Sequence, residues 1–589
     1  MNPAARVVPD VASFSVDDGF WYSIPDHLAP DLHVGSIVRV PLSGRRVRGW
    51  VVETTDSREG KLKEIAGISG SGPVFDDDLL KSLLWSSRHY VSPVSTLLGR
   101  ATPPNLPRSI PEPVTPVPVA PSGHVFDDLS SKTAADQRSP VVALVGNWRR
   151  FEWLRQLGPV FAAGKSVLIV AASAAEVGQL HEEAVEVWGD LVRSATGEDD
   201  KTDTGAWEAA QSPPRLVLGT PKTAAWKVGS LGLAIVLEES RRAMKDRQSP
   251  TIQVREVMRN RSRLEGFNLV FFGPTPSVEL LSAGAEIVHA GNRAWPLVEV
   301  VDRSEDRPGA GFLSDRAIAA IGAMAKAQNR VFVFTHRRLG YASMRCTRCR
   351  VLRSCGNCGA RLGRDDACPK CDTKVGPCQN CGGTQFEEMG TIPERLVAEV
   401  DRRLGRGVAA IHPEDAMVTV GTERDLAGLT PVALAVAADV DGMLMGLGYR
   451  TTEEALRQLA RLALAVREGT GNRLMLQTVR PDSLLITTMR RGDPIPYLER
   501  VLVERAREGS PPASEMIAVE IRGDVVETAA SDLAGLDDTV VMGPMSIPDG
   551  KRWLLTGKLG PARLQLRKLV GRWRDAGATV RIDADPIDV

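Results

Sequence analysis

From about residue 140 onward the chain alternates short, nearly continuous apolar runs with longer stretches of helical period. VVALVG (141–146), SVLIVAAS (166–173), RLVLGT (215–220), LAIVLEES (233–240) and LVFFGPTP (269–276) each lead into amphipathic sequence. A run that is apolar at every position is buried on both faces, which is the pattern of parallel strands covered by crossover helices. A second series begins at RVFVFTH (330–336) and, after an interruption, resumes with AMVTVGT (416–422), PVALAVAADVDG (431–442) and RLMLQTV (473–479). Residues 6–53 differ, with short β-branched runs broken by Gly, Pro and Asp, and predict a small β-barrel or sandwich. The helical stretch DDDLLKSLLWSSRHYV follows at 76–91. Residues 101–123 hold eight prolines and predict an extended linker.

These elements predict a multidomain α/β protein. A small N-terminal β domain with a helical extension covers residues 1–105, and a Pro-rich linker covers 106–139. Two tandem RecA-like parallel-sheet lobes follow, the first over 140–310 and the second over 311–344 and 386–495. A Cys-rich insertion at 345–385 splits the second lobe, and a C-terminal α+β domain takes 496–589. Composition adds little to this picture, but charge does. The 73 Lys and Arg balance 73 Asp and Glu, so general attraction to nucleic acid is not predicted and any DNA binding must use local patches. The opening MNPAARVVPDVASF has no basic region followed by an apolar run, and no apolar stretch reaches the roughly 18 residues of a membrane helix. A cytoplasmic protein without membrane contact is expected.

All eight cysteines fall within residues 346–381, as four C-x-x-C pairs. In a reducing compartment this spacing points to metal before disulfides, and a redox C-x-x-C normally occurs once, beside a βαβ unit. Eight thiolates, Cys346, Cys349, Cys355, Cys358, Cys368, Cys371, Cys378 and Cys381, fill two four-cysteine zinc sites with none left over. Spacing leaves open whether neighbouring pairs share an ion or the outer pairs close over the inner ones. The segment has little apolar content, so metal supplies its folding energy, on the order of 10 kcal/mol per site. With every ligand position taken, both sites are expected to be structural. From Arg345 to Gln385 eight basic and three acidic residues give +5, which two zinc tetrathiolates, at about −4 together, nearly cancel.

Two tandem α/β lobes raise the question of a nucleoside-triphosphate motor, whose first strand would run into G-x-x-x-x-G-K-[ST]. Here VVALVG leads into Asn147, Trp148, Arg149, Arg150 and Phe151. The glycine-rich loop and its lysine are missing, and an indole stands where backbone must approach phosphate. Gly164, Lys165 and Ser166 spell GKS but precede a strand instead of following one, so they are not a phosphate loop.

The order of motifs resembles the primosomal protein N-prime (PriA) family of replication-restart helicases across nearly the full length. The resemblance rests on F-x-Y-x-I-P at Phe20 to Pro25, G-x-x-V-x-V-P at Gly35 to Pro41, Gly49 to Val52, VLGTPKTA (217–224) and GPTPSVE (273–279). It rests also on Asp439 and Asp441, the eight-cysteine insertion, and D-x-D-P at Asp583 to Pro586. It implies a 3′-DNA-end-binding domain at the N-terminus, and it favours nested zinc pairing: Cys346, Cys349, Cys378 and Cys381 for one ion, Cys355, Cys358, Cys368 and Cys371 for the other. FEEMGTIPERL (386–396) resembles the family's element after the zinc module.

The departures are as informative. Where the family has D-E-E-H, this chain has Leu237, Glu238, Glu239 and Ser240, so the magnesium-holding Asp is replaced by an aliphatic. Glu238 and Glu239 are expected as a solvated pair at a helix start. The arginine-finger segment aligns with Gln458 to Ala465, placing Leu462 and Ala465 where the fingers would be, and Arg461 and Arg467 nearby are expected to face solvent. Phosphoryl transfer depends almost wholly on positioned charge, so loss of the lysine, the carboxylate and both fingers predicts a scaffold without ATPase activity. Asn147, Trp148, Arg149, Glu238, Glu239, Leu462 and Ala465 form this degenerate site, and ATP and Mg²⁺ are not expected as cofactors.

For DNA, the linker is too short for the family's winged helix, and Trp21 replaces the acidic residue between the two aromatics. Phe20, Trp21 and Tyr22 are candidate stacking faces for an unpaired base, with barrel core the alternative for Phe20 and Tyr22. Arg45, Arg46 and Arg48 form a small basic loop able to hold phosphate. ARLQLRKLVGRWRDAG (562–577) predicts an amphipathic helix with Arg563, Arg567, Lys568, Arg572 and Arg574 on a basic outer face. The expected function is a monomeric, nucleoid-associated replication-restart (primosome) protein that binds forked or single-strand-containing DNA and recruits replisome factors without unwinding. The alternatives are a working ATP-dependent 3′-to-5′ helicase with a divergent nucleotide site, and a zinc-stabilised protein-interaction scaffold.

Overall fold

The computed structural model describes residues 2–587 apart from 116–125, 292, 307–310, 337–342, 350, 358, 361, 364–366, 369–370, 390–391, 412–415 and 447. The N-terminal β-branched runs form a five-stranded antiparallel sheet, ordered Phe20–Ser23, Asn2–Pro9, Arg45–Arg58, Ile37–Leu42, Gly67–Ser69. Its inward positions, Ala5, Val7, Tyr22, Val38, Val40 and Val51, make a small core. Helix Asp77–His89 follows, capped by Asp76, whose Oδ1 accepts from the Leu79 amide at 3.0 Å.

The fully apolar runs become strands of parallel sheets, as their lack of alternation predicts. The first lobe is a seven-stranded sheet ordered Glu286–His289, Val142–Val145, Asn268–Gly273, Leu231–Leu237, Ser166–Val170, Leu216–Gly219, Val192–Ala195. The second has six strands: Val298–Asp302, Arg473–Thr478, Leu434–Ala437, Val331–Phe334, Val418–Gly421, Ala409–Ala410. Strand Val298–Asp302 pairs with Arg473–Thr478, so the second lobe starts before residue 310, where the sequence pattern ends the first. Strands Ser343–Cys346 and Phe386–Met389 pair as an antiparallel stem for the Cys-rich insertion. The C-terminal unit is a four-stranded antiparallel sheet, ordered Thr539–Ile547, Gly550–Gly557, Glu515–Arg522, Thr579–Ala584, with helices Val526–Ala534 and Gly560–Asp575.

The Pro-rich stretch is not a free linker at its described ends. Arg108 N donates to Glu208 Oε1 at 2.6 Å and Arg215 Nη2 to the Glu112 carbonyl at 3.0 Å, laying residues 105–112 along the first lobe. Residues 127–134 form a helix whose Thr133 Oγ1 accepts from Asn268 Nδ2 at 2.8 Å. The described parts of the expected linker, 106–115 and 126–139, are therefore docked, because their carbonyls, amides and side chains find partners on the lobe. Among the described residues no helix is long and apolar enough to cross a membrane.

Candidate functional site

Strand Val142–Val145 ends at the cleft between the lobes, where a motor would cradle phosphate. Asn147 Oδ1 folds back to accept from the Arg149 amide at 3.0 Å. Trp148 then turns inward and is 0% exposed, its Nε1 donating to Glu238 Oε1 at 2.6 Å and its carbonyl accepting from Trp153 Nε1 at 2.8 Å. The indole thus fills the position its bulk predicts. Glu238 follows strand Leu231–Leu237 at φ +48°, a left-handed conformation that costs a non-glycine residue about 1 kcal/mol or more.

Glu238 and Glu239 are not a solvated pair: they are 3% and 2% exposed. Carboxylates at that depth require compensating charge. Glu238 receives it from the second lobe, where Arg461 Nε faces Glu238 Oε2 at 3.1 Å without hydrogen-bond alignment. Arg461 is likewise no surface residue, being 1% exposed, and its Nη2 donates to Glu176 Oε1 at 2.7 Å. Glu176 belongs to helix Ala174–Trp188, whose capping Ser173 Oγ is 2.9 Å from Glu176 Oε2. It also accepts from Arg241 at 2.7 Å and lies 3.9 Å from Arg149. Burial pushes the Glu176 carboxyl up, but Arg241 and Arg461 outweigh it and hold it at about 2.

From the second lobe, Glu423 accepts from Arg457 at 2.6 and 2.8 Å and lies 3.4 Å from Arg461 and 3.9 Å from Arg241. Burial raises its pKa, yet Arg457 and Arg461 bring it well below the carboxylate range. Arg457 also bonds Glu454 at 2.6 Å, and Arg149 Nη2 crosses to the Leu426 carbonyl at 2.8 Å. Four guanidinia (Arg149, Arg241, Arg457, Arg461) therefore meet four carboxylates (Glu176, Glu238, Glu423, Glu454). Their balance leaves little attraction for a triphosphate. Leu462 and Ala465, where fingers were sought, are buried in the apolar core behind Arg461, while Arg467 bonds Asn329 at the surface.

Glu239 sits in an adjoining cluster. Its Oε1 accepts from the Ser277 amide at 2.8 Å and its Oε2 lies 3.1 Å from Arg255 Nη1. Burial raises its pKa against the pull of Arg255, and both oxygens are engaged within the protein. Arg255 in turn faces Glu279 at 3.6 Å, and Glu279 bonds Arg450 and Arg505, with Arg505 also bonding Glu453. A void of about 20 Å³ lies alongside, lined by residues including Ser240, Arg255, Arg450 and Arg457. That is room for about one water molecule, against the roughly 300 Å³ or more of a ligand pocket.

The cysteine insertion brings Cys346, Cys349, Cys378 and Cys381 together with all Sγ atoms within 4.8 Å of one another, the nested arrangement. Cys355, Cys368 and Cys371 form a second group, and Cys358 lies outside the described residues. The pairs Cys346–Cys381, Cys349–Cys378 and Cys355–Cys371 are each 3.5 Å apart, near the roughly 3.8 Å edge of a zinc tetrathiolate with 2.3 Å bonds. Chain reversals just after the pairs, Gly359 N to Cys355 O at 2.9 Å and Gly382 N to Cys378 O at 2.7 Å, aim the thiols inward. Both groups fit a thiophilic ion. Among the described residues, Leu362 is the buried apolar side chain of the second group's core besides the cysteines, with Ala360 and Val375 partly buried against it, so the apolar core is small.

On the N-terminal sheet, Phe20 is 40% exposed, whereas Tyr22 is core, its hydroxyl donating to the Pro41 carbonyl at 3.3 Å. Tyr22 is thus withdrawn from the candidate DNA contacts, because its ring packs in the core of the sheet, while Phe20, on the same face, stands at the strand's exposed end. Trp21 lies under the Arg58 guanidinium, 4.0 Å from its ring centre. Arg45, Arg46 and Arg48 are exposed on one hairpin, and the register sets exposed Arg39 opposite Arg48. Sequence reading missed Arg39, which only cross-strand pairing joins to the others. The basic face expected on helix Gly560–Asp575 is divided: Lys568 and Arg572 are exposed, but Arg563 pairs with Glu515 at 3.0 Å and donates to the His89 carbonyl at 3.0 Å, and Arg567 bonds Asp17 and the Ser87 and Ser92 carbonyls. Arg563 and Arg567 join the N- and C-terminal domains.

Residues 6–103 match the family described as the PriA 3′ DNA-binding domain (3′BD). The probable replication restart protein PriA of Mycobacterium leprae is 24% identical over 597 residues, covering 91% of this chain and 90% of that protein. Replication restart protein PriA of Rickettsia conorii is 22% identical over 638 residues, covering 98% and 94%. Among solved structures, Mycobacterium smegmatis helicase Lhr bound to ssDNA and AMP-PNP aligns over 63% of this chain and 48% of that chain, at 13% identity and a TM-score of 0.37.

Proposed function

The chain is a divergent member of the PriA replication restart family, and from that premise we propose that it binds branched DNA at stalled forks and recruits replication factors without hydrolysing ATP. The observation that carries the second half is the cleft filled by Trp148, Glu238, Glu176 and Arg461. Metaphosphate-like transition states are stabilised by a lysine, a metal carboxylate and arginine fingers. Here the arginines are engaged by carboxylates of the same protein. For DNA, exposed Phe20 offers a face for an unpaired base and Arg39, Arg45, Arg46 and Arg48 offer donors for phosphate. Two structural zinc ions per chain would hold the insertion, which displays its surface from a two-stranded stem.

The deciding experiment measures ATP hydrolysis by purified, zinc-loaded protein with and without forked DNA, alongside binding to forked, single-stranded and plain duplex DNA. Preference for the fork with hydrolysis at background is expected. DNA-stimulated turnover that disappears in Glu239→Gln would establish a working motor and overturn the proposal.

A further inference from the structure

We propose that the lattice centred on Arg461 is a built-in lock that holds the two lobes closed without nucleotide or DNA. The inference rests on the reading of a non-hydrolysing cleft and goes further, since a cleft that cannot hydrolyse could still open. In a motor, closure must be supplied by the ligand, so that binding and release change the interlobe geometry. In this protein closure is supplied by the chain.

Two kinds of contact argue this. The first is charge: Arg461 reaches from helix Thr451–Leu464 to Glu176 and Glu238 of the first lobe, Arg241 of the first lobe faces Glu423 of the second, and Arg149 caps the Leu426 carbonyl. Opening would part these pairs and return each charge to water, so the lattice fixes the register in which the lobes close. The second is apolar packing. One continuous core includes Leu144, Trp148 and Phe272 of the first lobe together with Leu426, Ala460 and Leu462 of the second. Parting the lobes would expose this core to water. Together they bias the closed form and occupy the cleft in which a nucleotide would otherwise favour one interlobe state. A ligand with equal affinity for both states shifts nothing.

Hydrogen–deuterium exchange on the full zinc-loaded chain tests this, reading helices Ala174–Trp188 and Thr451–Leu464 in the free protein, with Mg·AMP-PNP, and with forked DNA. Equal, strong protection in all three states is expected. Added protection with AMP-PNP, or weak protection in the free protein, overturns the lock. Arg461→Ala should raise exchange in both helices about a hundredfold or more, and unchanged exchange in that variant also overturns it. Should that variant fail to fold, the wild-type comparison decides alone, because it needs no substitution. An open free protein that does not hydrolyse ATP would remove the lock only, whereas DNA-stimulated hydrolysis would remove the underlying reading.

Discussion

Single side chains decide the chemistry of the cleft. Arg461 serves three carboxylates, so Arg461→Ala leaves Glu176 and Glu238 buried without their cross-lobe partner. A loss of about 3–5 kcal/mol is expected, measurable by denaturant unfolding, while Arg467→Ala at the surface should change stability by less than about 0.5 kcal/mol. Acid should act through the same residues. The Glu176 carboxyl is held at about 2 against an ordinary 4.5, so its folded pKa is depressed. Its contribution to stability is then full above pH 4.5 and is lost as pH falls from 4.5 toward 2. Glu176→Gln should flatten stability across that window, and an unaltered acid profile would contradict the assignment. The absence of a phosphate loop was legible in the sequence, because that loop demands particular residues at fixed spacing and Trp148 is incompatible with it, as Leu237 is with the metal-holding Asp. What replaced it was not legible: Arg461 and Glu176 are 285 positions apart, and no local pattern links them. One partial signal existed, since Arg457 and Arg461 recur at i, i+4 on the face of Thr451–Leu464 that also carries Ala460 and Leu464.

At the scale of elements, the parallel strands were readable because burial on both faces leaves an unbroken apolar run. Helix Gly560–Asp575 was read with the right period and the wrong partner. Its apolar stripe, Leu566, Val570 and Trp573, packs on its own sheet, but Arg563 and Arg567 meet the N-terminal domain instead of water. Charge pattern alone cannot distinguish a solvated face from one that docks on acids and carbonyls elsewhere in the chain. The insertion behaves differently, because its thiols encode their own partner. Its stem joins it to the second lobe between Val331–Phe334 and helix Pro393–Leu404, so its folding is separable from that of the lobes. Chelation at neutral pH should release about two zinc ions per chain and make residues 345–385 protease-sensitive while far-UV circular dichroism of the lobes persists. Cys349→Ser should lower the zinc content by about one ion, and retention of both would show that Cys349 is not a ligand.

For the whole molecule, the C-terminal strand acts as a tie between domains. Lys245 of the first lobe donates to the Ala584 and Asp585 carbonyls at 2.6 and 2.5 Å and pairs with Asp583 at 2.7 Å, while Asp585 lies 2.8 Å from His89 and the Pro586 carbonyl accepts from Tyr449 of the second lobe at 3.0 Å. The D-x-D-P motif that marked the family resemblance is thus a structural joint, and such a role is invisible until the chain ends are placed. Rigid joining matters for DNA binding, because the chain carries equal numbers of basic and acidic residues and no long-range field draws DNA to it. Binding must come from a few positioned cations held against the rest of the protein. The hairpin carrying Arg39, Arg45, Arg46 and Arg48 meets that requirement, with the four side chains exposed on two adjacent strands. If each of Arg45, Arg46 and Arg48 neutralises one phosphate, replacing all three with Ala should flatten the slope of log K against log salt by about 2–3, at about 0.7–0.9 per contact. Affinity should fall uniformly across sequences, since phosphate contacts carry no base information. The substitutions lie at exposed positions, so thermal stability should be unchanged, and an unaltered salt slope in a folded triple variant would move the DNA-binding surface away from this hairpin.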